Sequence, residues 1–360
     1  MVPKFLKGIH WPIFWVSVVM TGVGILEIYS ASFRGGGDFA AKQWFWALMG
    51  VACFFAAVFI GYRTFLNLAS LFYLLTLALL VWVLLFGHTR LGVQRWIDIG
   101  PLALQPSEFA KIATILLLSH FLAMRSPLIQ HKRTLIMVMI LASLPTLLIL
   151  KQPDLGSALV FFPILIALIF NWGVRLRYFV FFFLFALASS PFLWHMLRPY
   201  QQKRLLVFLN PSIDPIGASY TAIQSKIAVG AGGLFGKGWL QGTQTQLDFV
   251  PEHHTDFIFS VIAEEFGFLG GLFVVLMFAV LIAYIFQIMQ HTTDLRGRFL
   301  GIGIAALLFF QVFVNIGMTI GLAPITGITL PFLSYGGSSL ASTFFAIGLL
   351  VSVYRERSIF

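Results

Sequence analysis

Apolar residues along the chain come in long blocks, separated by short polar stretches. Ten blocks stand out, at about 11–30, 43–61, 65–86, 108–124, 134–150, 156–172, 178–196, 256–289, 299–322 and 332–354. Each is near the length a helix needs to cross hydrocarbon, roughly 20 residues. The short alternating segments of an outer-membrane barrel are missing. A helix also satisfies its own backbone polar groups, which lipid cannot do. The pattern predicts an all-α polytopic membrane protein of about ten transmembrane helices, a single domain over 1–360, with an even count that puts both termini on one side. The first block is long enough to span and no small-x-small cleavage site follows it, so no cleavable signal peptide is expected.

Composition agrees: 59% of residues are hydrophobic, 10% are charged, and the mean hydropathy is +0.93, against roughly 25% charged in a soluble domain. Charge then sets the topology. If the termini are cytoplasmic, Lys4, Lys7, Arg63, Arg125, Lys132, Arg133, Arg175, Arg177, Arg296, Arg298, Arg355 and Arg357 lie inside with only Asp294 and Glu356. The remaining eleven Lys/Arg are balanced by eleven Asp/Glu, so the whole net charge of +10 sits on one face. This is the positive-inside rule, and it removes nucleic acid as the reason for a sequence pI near 9.9. The two longest connections, 87–107 and 197–255, then face outward with most of the acids. Loops this long are functional or disordered, and 197–255 is too apolar for disorder. Within it, YTAIQSKIAVGAGGLFGKG predicts a short interfacial or re-entrant helix with a flexible glycine exit. The single Cys53 permits no intrachain disulfide.

The glycine cluster is no nucleotide loop. A phosphate loop needs Gly at 231 and Ser or Thr at 238, where this chain has Ala231 and Gly238; the dinucleotide pattern fails at Phe235. His253 and His254 suggest a metal site only weakly, because adjacent side chains diverge and no second ligand pair is visible. Pro106, Ser107 and Glu108 open a helix, with Lys111 one turn on. That pair reads either as an ion pair letting Lys111 enter the membrane or as a functional site, since intramembrane charges are functional by default. Asp154 reads as a helix N-cap. Glu264 and Glu265 lie about 12 Å beyond Asp256 along a helix; unpaired carboxylates there are costly, which favours structural ion pairs. Asp256 differs, because it sits at the outer interface, although helix-start capping is its other reading. A carboxylate there, beside a loop bearing Arg198, Lys203 and Arg204, suits transfer chemistry on an anionic lipid-linked substrate.

Four segments carry a family resemblance: GVQRWIDIGPLALQPSEFAKI at 92–112, KQPDLGSALV at 151–160, the stretch from Tyr200 to Gly271 containing GKGWLQGTQTQLDFVPEHHTDFIF, and NIGMTIGLAPITGITLPFLSYGGSSL at 315–340. The chain resembles the SEDS family (shape, elongation, division and sporulation) of polytopic peptidoglycan polymerases. The Gly242-Thr243-Gln244 motif is similar to the rod-shape-determining, elongation branch. The resemblance implies a ten-helix bundle in the bacterial cytoplasmic membrane that polymerises lipid II on its outer face. Asp256 matches the family's essential acid, and Glu108 and Lys111 match its paired charges. Asp256 is then the expected general base of an inverting glycosyl transfer. Arg198, Lys203 and Arg204 are candidates for the pyrophosphate, with a divalent cation, Mg²⁺ or Mn²⁺, a candidate to join them; an interfacial basic stripe for anionic lipids is the other reading. The Pro324–Ser339 segment is expected to form a membrane-embedded loop at the cavity floor, with Ser334 and Ser338 able to touch substrate. The implied partner is a class B penicillin-binding protein, a transpeptidase. Two other functions remain open: a lipid II flippase, which would need polar groups through the whole bilayer, and a non-catalytic scaffold for a transpeptidase.

Overall fold

The computed structural model describes residues 8–33, 38–90, 93–99, 102–125, 132–197 and 199–357. Every predicted block carries helix. In chain order the helices are α1 (Trp11–Ser32), α2 (Phe39–Ile60), α3 (Tyr62–Asn67), α4 (Ala69–Phe86), α5 (Pro106–Ala123), α6 (Lys132–Lys151), α7 (Leu155–Leu159), α8 (Phe161–Asn171), α9 (Leu176–Met196), α10 (Pro199–Leu209), α11 (Tyr220–Ala231), α12 (Thr243–Gln246), α13 (Ile258–Gln290), α14 (Leu295–Ile320) and α15 (Gly337–Arg357). Among the described residues, α1, α2, α4, α6, α13, α14 and α15 are long and apolar enough to cross a membrane. Two predicted blocks are each split into a short and a longer helix, α3 with α4 and α7 with α8. The block expected from 332 begins as helix only at Gly337, because residues 321–336 run as a partly buried non-helical segment.

The all-α expectation holds with one small exception. Connection 87–107 carries an antiparallel sheet of β1 (His88–Arg90), β2 (Val93–Ile99) and β3 (Leu102–Leu104), in the order β1-β2-β3. Its register sets His88 opposite Trp96 and Ile97 opposite Leu104. Leu102 to Ile112 therefore passes from strand to helix at Gln105 and Pro106.

Close helix packing rests on small residues, as expected where lipid offers no hydrophobic drive for association. A Cβ on Gly348 of α15 would come within 2.5 Å of the Phe54 carbonyl on α2, and one on Gly50 within 2.6 Å of the Phe344 ring. At one end of the bundle the Tyr62 hydroxyl donates to Asp294 at 2.8 Å and Arg63 pairs with Glu356 at 2.9 Å. At the other end lie the sheet and the 199–257 segment.

That segment is fastened by a break in α13. Gly267 adopts φ 66°, ψ −158°, a conformation essentially reserved for glycine. The break leaves helix carbonyls and amides unpaired, which a membrane interior does not tolerate. The glycine-rich segment after α11 supplies the partners: Lys237 N and Gly238 N donate to the Glu264 and Glu265 carbonyls at 3.0 and 2.9 Å, and Phe268 N and Leu269 N donate to the Gly233 and Leu234 carbonyls at 2.9 and 3.2 Å. The expected flexible exit is thus corrected: its glycines permit close backbone approach to α13, and a Cβ on Gly232 or Gly236 would overlap that backbone.

Gly267→Ala is expected to destabilise the protein by about 1–3 kcal/mol, the cost of a side chain in this region of backbone space. Hydrogen exchange should show faster exchange at the amides of 237, 238, 268 and 269 in the variant, with the amides of α15 unchanged.

Candidate active site

At the end of the bundle bearing the sheet, a cavity of about 1290 Å³ opens among α2, β2, the start of α5, the 152–155 turn, α10, residues 252–256, and the 325–339 segment. Its chemistry is concentrated. Four carboxylates, Asp38, Asp154, Glu252 and Asp256, share it with Lys42, Arg95 and Arg204, and Trp46, Trp96, Tyr200 and Tyr335 add aromatic surface.

Asp256 precedes α13 by two residues, so it stands outside the helix and its carboxyl faces the cavity. Asn315 of α14 fixes its backbone, donating through one Nδ2 to the Asp256 carbonyl at 2.8 Å and to the Ile328 carbonyl at 2.7 Å. Gly327, at φ 74°, lies beside the carboxylate, where a Cβ would sit 3.4 Å from Oδ2. The residue lines the cavity and is half-buried. That burial pushes its pKa up to about 6; Glu252 and Asp154 add to the rise, and Arg204 and Arg95 oppose it. The group can therefore take up and release a proton near neutral pH.

Asp154 caps α7, accepting from Ser157 N at 3.1 Å, and also contacts Gln105 and Arg95 at 3.5 and 3.7 Å. Arg95 donates to the carbonyls of Gln152 and Pro153 as well, so it clamps the turn that carries Asp154. Glu108 and Lys111 pair at 2.7 Å and are buried in α5, one turn below Gln105; neither lines the cavity.

The basic triplet is divided. Tyr200, Gln201 and Arg204 share one face of α10 and line the cavity, with Arg204 donating to the Ile325 carbonyl at 3.2 Å. Lys203 points away and pairs with Asp214 at 2.7 Å, which holds that carboxyl below its ordinary range. Neighbours on a helix diverge by about 100°, so Lys203 is corrected from pyrophosphate candidate to surface ion pair. Arg198 lies outside the described residues.

The two serines are placed differently. Ser334 is buried away from the cavity and its Oγ accepts from Leu330 N at 2.8 Å. Ser338 lines the cavity, but its Oγ accepts from Gln105 N at 2.9 Å and donates to the Ala103 carbonyl at 3.3 Å, tying the start of α5 to α15. Thr326, Thr329, Tyr335 and Ser339 of the 325–339 segment also line the cavity, with the Thr329 and Ser339 hydroxyls 3.0 Å apart.

Glu264 and Glu265 lie behind the cavity, fully buried. Glu264 accepts from Lys237 Nζ at 2.7 Å, Gln244 N at 2.9 Å, and Thr245 N and Oγ1 at 3.1 and 2.9 Å. The Gly242-Thr243-Gln244 motif therefore folds around this carboxylate. Glu265 takes the Ser30 hydroxyl of α1. His253 sets its ring nitrogens 2.7 Å from the Val250 and Ala31 carbonyls; no group of three metal-ligating side chains occurs among the described residues. His254 lines the cavity between Phe39 and Tyr335, and burial, with His253 adjacent, holds its pKa below the ordinary value.

Sequence reasoning gave no role to Lys42, Glu252, Trp46 or Trp96. Lys42 and Glu252 are single charges in otherwise different segments, and only the fold brings them to one cavity. Trp96 follows Arg95 in the 92–112 motif, which was the one available signal. Trp46 lies against Gly337, where any Cβ would overlap the indole.

A profile of the cell cycle protein family FtsW/RodA/SpoVE matches residues 11–359. The chain is 34% identical to the peptidoglycan glycosyltransferase RodA of Treponema pallidum, over 93% of this chain and 95% of that one. It is 40% identical to the peptidoglycan glycosyltransferase MrdB of Escherichia coli, over 86% and 84%. Among solved structures, a chain of a peptidoglycan synthase complex that coordinates polymerization and crosslinking superposes with a TM-score of 0.85 at 32% identity, covering 98% of this chain and 99% of that one. The rod shape determining protein RodA of Thermus thermophilus superposes with a TM-score of 0.74 at 31% identity, with 99% of each covered. The chain belongs to the FtsW/RodA/SpoVE family, the SEDS family that its motifs resemble.

Proposed function

We propose that this protein is a peptidoglycan glycosyltransferase that polymerises lipid II into glycan strands at the outer face of the cytoplasmic membrane, in the elongation branch of its family. The observation that carries the reading is the placement of Asp256: a carboxylate just before α13, in a cavity that also holds Lys42, Arg95 and Arg204. Homologues named as peptidoglycan glycosyltransferases support the same chemistry.

In the proposed step, Asp256 accepts the proton of the acceptor sugar's 4-hydroxyl as that oxygen bonds to the donor's anomeric carbon. The anomeric carbon–oxygen bond breaks on the opposite face and its electron pair leaves with the pyrophosphate, so the configuration inverts. General base catalysis is most effective when the pKa lies near the working pH. The departing charge is met by Arg204 and Lys42, and by the first turn of α15 at Gly337 to Ser339, the positive end of a long helix. Arg95 holds the Asp154 turn in place. With no three-ligand cage among the described residues, the proposed Mg²⁺ or Mn²⁺ is one carried by the pyrophosphate itself, as Mg²⁺ commonly is. A class B penicillin-binding protein is the proposed partner, in keeping with the synthase complex whose chain this one resembles.

Purified protein is expected to convert lipid II to glycan, alone or with its transpeptidase, and Asp256→Asn at equal folded amount should lose at least about a hundredfold in rate. Glycan formation undiminished in the variant would refute the assignment, and lipid II movement across vesicles without any glycan would favour transport. For the wild type, kcat/KM should rise with pH up to about 6 and then level, because the base must be ionised. Glu252→Gln removes a neighbouring negative charge, so it should move that inflection to lower pH.

A further inference from the structure

His253 stands three residues before Asp256 and does not line the cavity, yet its ring is buried and engaged at both nitrogens. Nδ1 lies 2.7 Å from the Val250 carbonyl, and Nε2 lies 2.7 Å from the Ala31 carbonyl of α1. A carbonyl oxygen only accepts, so each contact needs an N–H on the ring. A neutral imidazole carries one such hydrogen and one bare lone pair, whereas the imidazolium carries two hydrogens. With one hydrogen missing, a lone pair would face a carbonyl oxygen at 2.7 Å and leave that buried acceptor unpaired.

The surroundings favour a cation. Ala31 lies in the last turn of α1, where carbonyls have no intrahelical partner and the helix dipole presents its negative end. The neighbouring Ser30 carbonyl takes a bond from Gln246 at 2.8 Å, so Gln246 and His253 together cap α1, which has no basic residue in its own last turn. Asp248 Oδ1 lies 3.8 Å from Nε2. Other charges nearby are Glu252 on the same segment, Glu265 of α13, which accepts from the Ser30 hydroxyl, and Asp38 and Lys42 at the start of α2, which share the cavity with His254. Glu264 is already matched by Lys237. Carboxylates therefore outnumber cations around the ring. His254, next in the chain, is disfavoured as a cation by burial and by the charge of His253, so the positive charge of this histidine pair stays on His253.

We propose that His253 is a positioning residue that works as an imidazolium: it joins the end of α1 to the Val250 turn and thereby fixes where Asp256 enters the cavity. Residues 251–257 form neither helix nor strand, so their placement depends on such ties. From one side, Tyr335 N donates to the His254 carbonyl at 2.9 Å and Asn315 donates to the Asp256 carbonyl at 2.8 Å. From the other, His253 supplies the bond to α1. A base moved by a fraction of an ångström loses rate rather than substrate affinity, so the effect falls on kcat. This role rests on the glycosyltransferase reading; the charge on the ring does not. It also bounds the working pH range, because activity that has levelled once Asp256 is ionised falls again at higher pH, when the ring gives up a proton.

The test uses the full chain in lipid nanodiscs, with the ring nitrogens of its eight histidines read by nitrogen-15 NMR and lipid II polymerisation assayed on the same preparation. The His253 ring, identified by the signals lost in His253→Arg, is expected to carry hydrogen on both nitrogens at neutral pH. A bare nitrogen on that ring in the folded wild type would overturn the proposal. His253→Ala should lower kcat by about tenfold or more at unchanged KM for lipid II. His253→Arg, a permanent cation with several donors, should restore most of kcat and remove the fall at alkaline pH. Undiminished kcat in folded His253→Ala, or an Arg variant as slow as the Ala variant at wild-type thermal stability, would also overturn it. Wild type that makes no glycan refutes the polymerase reading alone, because the NMR signal still decides the charge on His253.

Discussion

A carboxylate buried in a membrane helix must be given hydrogen-bond donors, and the architecture around the active site follows from how Glu264 receives them. Its oxygens draw in the Lys237 ammonium and the backbone of Gln244 and Thr245. The adjoining break at Gly267 draws in the 233–238 backbone as well. Together these bonds pin a long connection, polar in places and rich in glycine, against α13. Removing one partner of such a buried pair leaves an uncompensated charge, which costs far more than the pair contributes. The residues after this pinned stretch, 247–256, therefore start from a fixed point and deliver Asp256 to the cavity.

The opposite wall is made by a segment that is not helical although its 328–334 part is largely buried. Residues 321–336 avoid unpaired backbone by borrowing side chains. Asn315 serves the Ile328 and Asp256 carbonyls, Gln43 donates to the Ser334 carbonyl and accepts from Gly336 N, and Ser334 accepts from Leu330 N. Irregular backbone at membrane depth is tolerated only where protein or an aqueous cavity lines it, and here both conditions hold. The same stitching places the first turn of α15 and the hydroxyls of Thr329 and Ser339 at the cavity surface.

Within that cavity, burial and charge act on Asp256 in opposite directions. Enclosure and the neighbouring carboxylates favour the protonated acid; Arg204 and Arg95 favour the anion. The outcome near 6 suits a base that must lose its proton at cellular pH and still accept one from a sugar hydroxyl. Arg95 shows how the roles divide. Although it lines the cavity, it is occupied with the Gln152 and Pro153 carbonyls and the Asp154 carboxylate, so it sets the position of an acid, while Arg204 and Lys42 face the space where leaving-group charge would develop.

The sequence by itself determined the solvent, the helices and the family. Runs near 20 apolar residues leave few alternatives when each backbone group must be satisfied within its own segment, and the motifs around Asp256 and Tyr335 are dense enough to identify the family without coordinates. It also pointed to Asp154 as a helix cap, because capping is local. Only the tertiary structure decided which polar groups meet. Lys203 and Arg204 are adjacent in sequence but leave α10 in different directions, one to Asp214 and one to the cavity; Ser338 looks available until Gln105, over two hundred residues away, is seen to use its hydroxyl; Lys42, Glu252 and Trp46 have no local signature at all. The kink that turns the Gly233–Gly238 run from a loose exit into an anchored one was equally hidden. Pairing between distant segments depends on where helices cross, and periodicity along the chain records which face of a helix is apolar but not which helix lies against it.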